Sequence, residues 1–267
     1  MELTVRGRKA YAYTGGKAFD AERPVVVMIH GALHDHSVWT LAARWLAHHG
    51  HAVLGVDLPG HGRSEGPPAA DVGAHADWLL ALLDAAGAEA AAWVGHSMGS
   101  LIALEAAARA PQRARRLVMV GTAYPMRVSE ALLTTARDTP LAAIDMVNSF
   151  SLASIASKPS YPGPGMWLHG ANRALMRRTL SGCAQLNLFE HDFCVCDRYD
   201  GGLAAAEKVA CPVHFILGAA DQMTPPKATR AIGTALKAEV TTIEGSGHSI
   251  MVERPDEFLA ALRHALA

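Results

Sequence analysis

The stretch Gly95-His96-Ser97-Met98-Gly99 holds one hydroxyl between two glycines, after an apolar run, Ala91-Ala92-Trp93-Val94, and before an amphipathic run, Leu101–Ala106. A buried strand turning sharply into a helix needs residues without Cβ atoms at the turn, and it leaves the intervening serine in a strained conformation with its Oγ clear of the backbone. The alternative is a serine that merely caps the helix. A serine hydroxyl becomes a nucleophile only when a base takes its proton and a carboxylate orients that base. Among 14 histidines, His248 follows a late apolar run in Gly245-Ser246-Gly247-His248. Asp221 closes the run His214–Asp221 before Pro225 and Pro226. Ser97, Asp221 and His248 then all fall at strand ends, the edge of an open α/β sheet where ligands bind.

The other acids fit less well. Glu244 is read on the last strand and Glu253 beyond the histidine, Asp57 belongs to a tight Pro59-Gly60-His61-Gly62 turn, and Asp192, Asp197 and Asp200 fall outside the regular alternation. An oxyanion formed at Ser97 needs backbone donors. The N–H of Met98 is one. The second donor is expected from the loop after Val25–Ile29, where Ala32 is the choice and Leu33 the reserve. His30 is read as a brace for that loop, and His34 and His36 as exposed loop residues rather than substrate contacts.

These positions require a particular frame. Two alternating stretches in residues 2–14 predict a hairpin, and apolar runs beginning at Val25, Ala52, Ala91 and Arg116 alternate with helical segments 38–49, 69–86 and 98–110. Continuous apolar strands separated by helices imply a parallel sheet covered on both faces. The alternation stops after Tyr124 and resumes at Pro212 with a strand, a helix at 226–236, a strand running to Gly247 and a helix from Pro255. Residues 125–207, several helices interrupted by the turn-rich Ser157–Gly165, are an insertion into a core formed by 1–124 and 208–267. Met146, Phe150, Met166, Trp167, Leu168, Phe189 and Phe193 give this block apolar bulk. Leu33, Phe150, Trp167 and Phe189 are taken as substrate contacts.

The chain has 267 residues and a formal net charge of −1, with 24 basic and 25 acidic side chains, so it offers no basic footprint for nucleic acid. No apolar run approaches the ~20 residues of a membrane span, and no secretory h-region opens the chain, so a cytoplasmic location is expected. Cys183, Cys194, Cys196 and Cys211 are expected as free or buried thiols. His191, Cys194 and Cys196 make a poor zinc pattern, and neither a metal nor a cofactor is expected.

The segments His30–Trp39, Asp57–Ser64, Gly95–Gly99, Leu217–Pro225 and Gly245–Phe258 make the sequence similar to the α/β-hydrolase superfamily, in its serine-nucleophile branch. That resemblance implies Ser97 as nucleophile, Asp221 as orienting acid, His248 as base and residues 125–207 as a helical cap. Relatives with an aspartate nucleophile, the epoxide hydrolases and haloalkane dehalogenases, are disfavoured by Ser97. Ser100 stands where such sequences often carry glycine. The expected activity is hydrolysis of a small acyl substrate, a carboxylic ester or related compound, through an acyl-enzyme. Acyl transfer, perhydrolysis and carbon–carbon hydrolysis remain open on the same three residues, as does a non-catalytic receptor on the same fold. Oligomeric state is left open.

Overall fold

A computed structural model describes residues 1–154, 167–184 and 186–267. Met166 and the turn-rich 157–165 stretch lie outside the described residues. The first strands are β1 (Glu2–Val5), β2 (Arg8–Tyr13), β3 (Val25–Ile29) and β4 (Ala52–Val56), with α1 (Thr40–His48) between β3 and β4. Then come α2 (Val72–Ala85), β5 (Ala91–His96), α3 (Met98–Arg109) and β6 (Ala114–Val120). Between β6 and β7 (Val213–Gly218) lie α4 (Glu130–Asp138), α5 (Pro140–Ser151), α6 (Leu168–Gly182), α7 (Leu188–Arg198) and α8 (Gly202–Ala206). The chain ends with α9 (Arg230–Leu236), β8 (Glu239–Ile243), α10 (Ile250–Glu253) and α11 (Pro255–Leu266).

The eight strands form one sheet in the order β1-β2-β4-β3-β5-β6-β7-β8. The predicted hairpin pairs antiparallel, β2 pairs antiparallel with β4, and every later pairing is parallel. All residues of β3, β4, β5 and β7 are buried, as a doubly covered sheet requires. Because side chains alternate across a strand, Val25, Val27 and Ile29 join the core beneath α2 and α3, whereas Val26 and Met28 join the core beneath α1 and α11. The last strand is shorter than the run to Gly247 expected from the sequence. β8 stops at Ile243, and Glu244 lies in a turn with Gly245 at φ 66°. Among the described residues, no helix is long and apolar enough to cross a membrane.

Candidate active site

Ser97 sits between β5 and α3 with φ 52° and ψ −122°, and its side chain makes no capping hydrogen bond to the helix, so it is not a simple cap. A left-handed non-glycine residue of this kind costs on the order of 1–3 kcal/mol. The surroundings hold it there. Ser97 N–H donates to Val120 O at 2.9 Å, while Ser100 N–H and Ser100 Oγ–H approach Ser97 O at 2.8 and 2.6 Å. Ser100 thus ties down the elbow where glycine is the more usual residue, and Thr122 Oγ1 lies 2.7 Å from its hydroxyl. The flanking glycines are required sterically: a Cβ on Gly95 would stand 2.0 Å from Gly99 O, and one on Gly99 would stand 2.4 Å from Ile29 O.

Asp221 and His248 meet in the loops after β7 and β8. Their contact, Nδ1 of His248 to Oδ2 of Asp221, is 2.8 Å, and both side chains are buried. Asp221 Oδ1 accepts the N–H groups of Met223 and Thr224, each at 2.8 Å, and its Oδ2 also accepts Thr224 Oγ1–H at 2.7 Å. Burial by itself would raise the Asp221 pKa, but the facing His248 and these donors outweigh it and bring the carboxyl down to about 2. A carboxylate fixed on Nδ1 requires that nitrogen to carry the proton, which leaves Nε2 as the basic lone pair.

The His248 loop is braced from several sides. His248 N–H donates to Ser151 O at 2.7 Å, at the end of α5. Glu253, set aside as an orienting acid, accepts Gly247 N–H at 2.7 Å and Ala153 N–H at 2.8 Å. His96 donates from Nε2 to His248 O at 2.9 Å, and burial keeps its pKa well below the ordinary imidazole range. Neither His96 nor Thr224 was singled out from sequence. For Thr224 a local signal existed, an Asp followed three residues later by Thr, the pattern of a side-chain-closed turn.

Ser97, His248, Ala32, Gly31, His34 and His96 all border one cavity of about 300 Å³. Its remaining walls are mainly apolar: Met126, Leu132, Met146, Phe150, Phe193 and Met223. Phe150, read as a substrate contact, borders this cavity, and its ring is half exposed. The other three substrate-contact residues do not border this cavity. Leu33 and Phe189 are fully buried, Phe189 packing edge-on against Phe193, and Trp167 is half exposed and stacked on His169. Cys196 borders the cavity too, but burial pushes its thiol pKa far up, which suppresses the nucleophilic thiolate.

On the β3 side, His30 Nδ1–H donates to Gly31 O at 2.8 Å and Nε2 accepts Leu58 N–H at 3.1 Å, the brace expected of it. Asp57 accepts His36 N–H at 2.7 Å and Arg63 N–H at 2.8 Å, fixing the turn it was assigned to. His36 is paired with that carboxylate, whereas His34 reaches the cavity. The Leu33 N–H, held in reserve as an oxyanion donor, is committed to Asp192 Oδ2 at 2.8 Å. All four cysteines are free, and His191 Nε2 lies 2.9 Å from Ala69 O.

The family model of the alpha/beta hydrolase family matches residues 26–261. The chain belongs to the α/β-hydrolase family. This hydrolase is 28% identical over 263 residues to a pimeloyl-(acyl-carrier protein) methyl ester esterase of Xylella fastidiosa strain M12, across 91% of this chain and 95% of that one. A thermophilic esterase of known structure superposes with a TM-score of 0.80 at 26% identity, over 99% of this chain and 95% of that one. The esterase EaEST from Exiguobacterium antarcticum superposes with a TM-score of 0.84 over 100% and 98%, and at 17% identity that likeness concerns the fold. The hydrolase is an enzyme whose similar proteins include esterases.

Proposed function

We propose that the chain is a serine carboxylic ester hydrolase acting through a covalent acyl-enzyme on Ser97. The observation that carries this reading is the buried Asp221–His248 pair, 2.8 Å apart, whose His248 borders the same cavity as Ser97. Ser97 Oγ adds to the ester carbonyl as its proton passes to His248 Nε2, and the imidazolium so formed is stabilised by Asp221. The backbone N–H groups of Met98 and Ala32 receive the oxyanion. Collapse expels the alcohol, which takes the proton from His248. Water, deprotonated by the same imidazole, then adds to the acyl carbon and releases the acid, restoring Ser97.

The helices between β6 and β7 act as a cap over this cavity, since α4, α5 and α7 contribute Leu132, Met146, Phe150 and Phe193 to its walls. A volume of about 300 Å³ lies at the lower end for small-molecule sites. It suits a short to medium acyl chain. The relatives named for a methyl ester on an acyl-carrier-protein substrate support a small alcohol leaving group, so methyl esters of graded acyl length are the substrates to test. Folded Ser97→Ala is expected to lose at least about 10⁴-fold in kcat on the best of them. Retention of wild-type turnover by that variant overturns the reading.

A further inference from the structure

The loop after β3 is held by an unusual set of contacts. In the Gly31–Ala32 peptide the carbonyl is engaged from behind: Gly31 O accepts His30 Nδ1–H at 2.8 Å and His34 N–H at 3.3 Å. A trans peptide points its N–H opposite to its C=O. The Ala32 N–H therefore points away from the donors to that carbonyl, and Gly31 and Ala32 border the cavity together with Ser97. The next peptide, Ala32–Leu33, is tied at both ends. Leu33 N–H donates to Asp192 Oδ2 at 2.8 Å, and Ala32 O accepts His34 Nδ1–H at 2.7 Å. Leu33 has φ 55°, a left-handed conformation that a branched side chain avoids.

Asp192 comes from α7, far away in sequence, and has no exposed surface. Its Oδ2 also meets His61 Nε2 at 2.9 Å, and His61 Nδ1 lies 3.0 Å from Pro59 O. With acceptors at both ring nitrogens, His61 must carry both protons, so the carboxylate is anchored to the core by an imidazolium. A buried ion pair is a poor source of stability compared with apolar side chains of the same volume. Its geometric effect here is specific, because it presents an acceptor to the one amide that must face away from the cavity. The second tie has a similar origin: His34 Nε2 lies 2.8 Å from Asn172 Oδ1 on α6.

We propose that Asp192 is a positioning residue for the oxyanion loop, holding the Ala32–Leu33 peptide so that the Ala32 N–H stays aimed at the reacting carbonyl. The inserted helices thus set the geometry of the oxyanion site as well as covering it: α7 acts directly on the peptide, and α6 acts through His34. The proposal rests on the acyl-enzyme reading above. Without the Asp192 acceptor, Leu33 relaxes toward negative φ and the Ala32–Leu33 peptide swings, displacing a donor that must be placed within a fraction of an ångström.

The test compares Asp192→Leu, which removes the acceptor, with Asp192→Asn, which keeps an oxygen that can receive the Leu33 N–H. Each is assayed for kcat, KM and inhibition by an alkylboronic acid, which forms a tetrahedral adduct on a serine oxygen. The expected result is a fall in kcat of about 10- to 100-fold for Asp192→Leu, with KM changed less than about threefold and boronate affinity weakened in proportion to kcat. Asp192→Asn should recover most of the loss. The proposal is overturned if folded Asp192→Leu keeps kcat within about twofold of wild type, or if its loss falls on KM with boronate affinity intact. If the leucine variant does not fold, site-resolved amide exchange on the wild-type protein decides. Leu33 must be protected in the free enzyme and Ala32 only in the boronate adduct, and the reverse pattern rejects the proposal. A wild-type enzyme that forms no boronate adduct on Ser97 refutes the acyl-enzyme reading itself, whereas an adduct that is indifferent to Asp192→Leu refutes this inference alone.

Discussion

Replacing Asp221 by Asn has an outcome that the hydrogen bonds around it dictate. Two backbone N–H groups, from Met223 and Thr224, converge on Oδ1 at 2.8 Å, so the amide oxygen of an asparagine must take that position. The amide nitrogen is then forced to the Oδ2 position, 2.8 Å from His248 Nδ1, where a carboxylate oxygen had accepted a proton. An N–H donor there makes Nδ1 the acceptor and moves the imidazole proton to Nε2, the nitrogen that must be unprotonated to activate Ser97. The equivalent substitution in the serine-protease triad lowers kcat by about 10⁴-fold. We therefore expect a loss of about 10³- to 10⁴-fold, or ~4–5.5 kcal/mol of transition-state stabilisation, with KM little changed. Stability falls as well. A carboxyl lowered from 3.8 to about 2 contributes on the order of 2 kcal/mol above pH 3.8, lost as the pH falls through 2, and the variant lacks it at pH 7. Steady-state hydrolysis of a chromogenic ester measures the first effect, and ¹⁵N NMR of the His248 ring reads the tautomer directly. A variant within tenfold of wild-type kcat, or one retaining the proton on Nδ1, refutes the reasoning.

Gly99→Ala brings a methyl group to 2.4 Å from Ile29 O and 2.5 Å from His30 O, both backbone atoms that cannot step aside, so it should cost about 1–3 kcal/mol or more and lower both the melting temperature and kcat. His75 is buried with neither ring nitrogen hydrogen-bonded to any of the described residues, and burial lowers its pKa from 6.5 to about 3. Its folded-state contribution is therefore full above pH 6.5 and declines as the pH falls. The penalty at pH 5 is on the order of 2 kcal/mol, so His75→Leu should narrow the gap in urea midpoint between pH 7 and pH 5; an unchanged gap counts against that pKa. Leu132→Trp fills part of the cavity wall and should lower kcat/KM for long acyl esters while sparing acetyl esters, as a chain-length series of substrates will reveal.

Much of the frame was legible because it depends on local patterns. The continuous apolar runs at Val25, Ala52, Ala91 and Pro212 match buried parallel strands, and Pro255 opens the last helix as its position suggests. The Gly-x-Ser-x-Gly elbow announced both its strain and the close backbone approach at Gly95 and Gly99. The end of β8 was misjudged: the chain turns after Ile243, where Gly245 adopts φ 66°, and the turn-forming Glu244-Gly245-Ser246-Gly247 was read as part of the strand. Harder to foresee were contacts between residues far apart in the chain. Asp192 seemed an unremarkable acid in the inserted block, yet it bonds to Leu33 and to His61. Apolar residues in helices gave no indication of which face meets the cavity: Phe189 and Phe193 are four residues apart on α7, and only Phe193 borders it. Periodicity locates a buried face, but it does not distinguish a face that packs on protein from one that borders a void.

The most direct test of the central claim is intact-protein and peptide mass spectrometry after acid quench of enzyme turning over a slowly deacylating ester. The account predicts an added acyl mass on the peptide carrying Ser97, absent from folded Ser97→Ala, which hydrolyses the ester no faster than solution does. An acyl group carried elsewhere, or undiminished hydrolysis by the alanine variant, contradicts it.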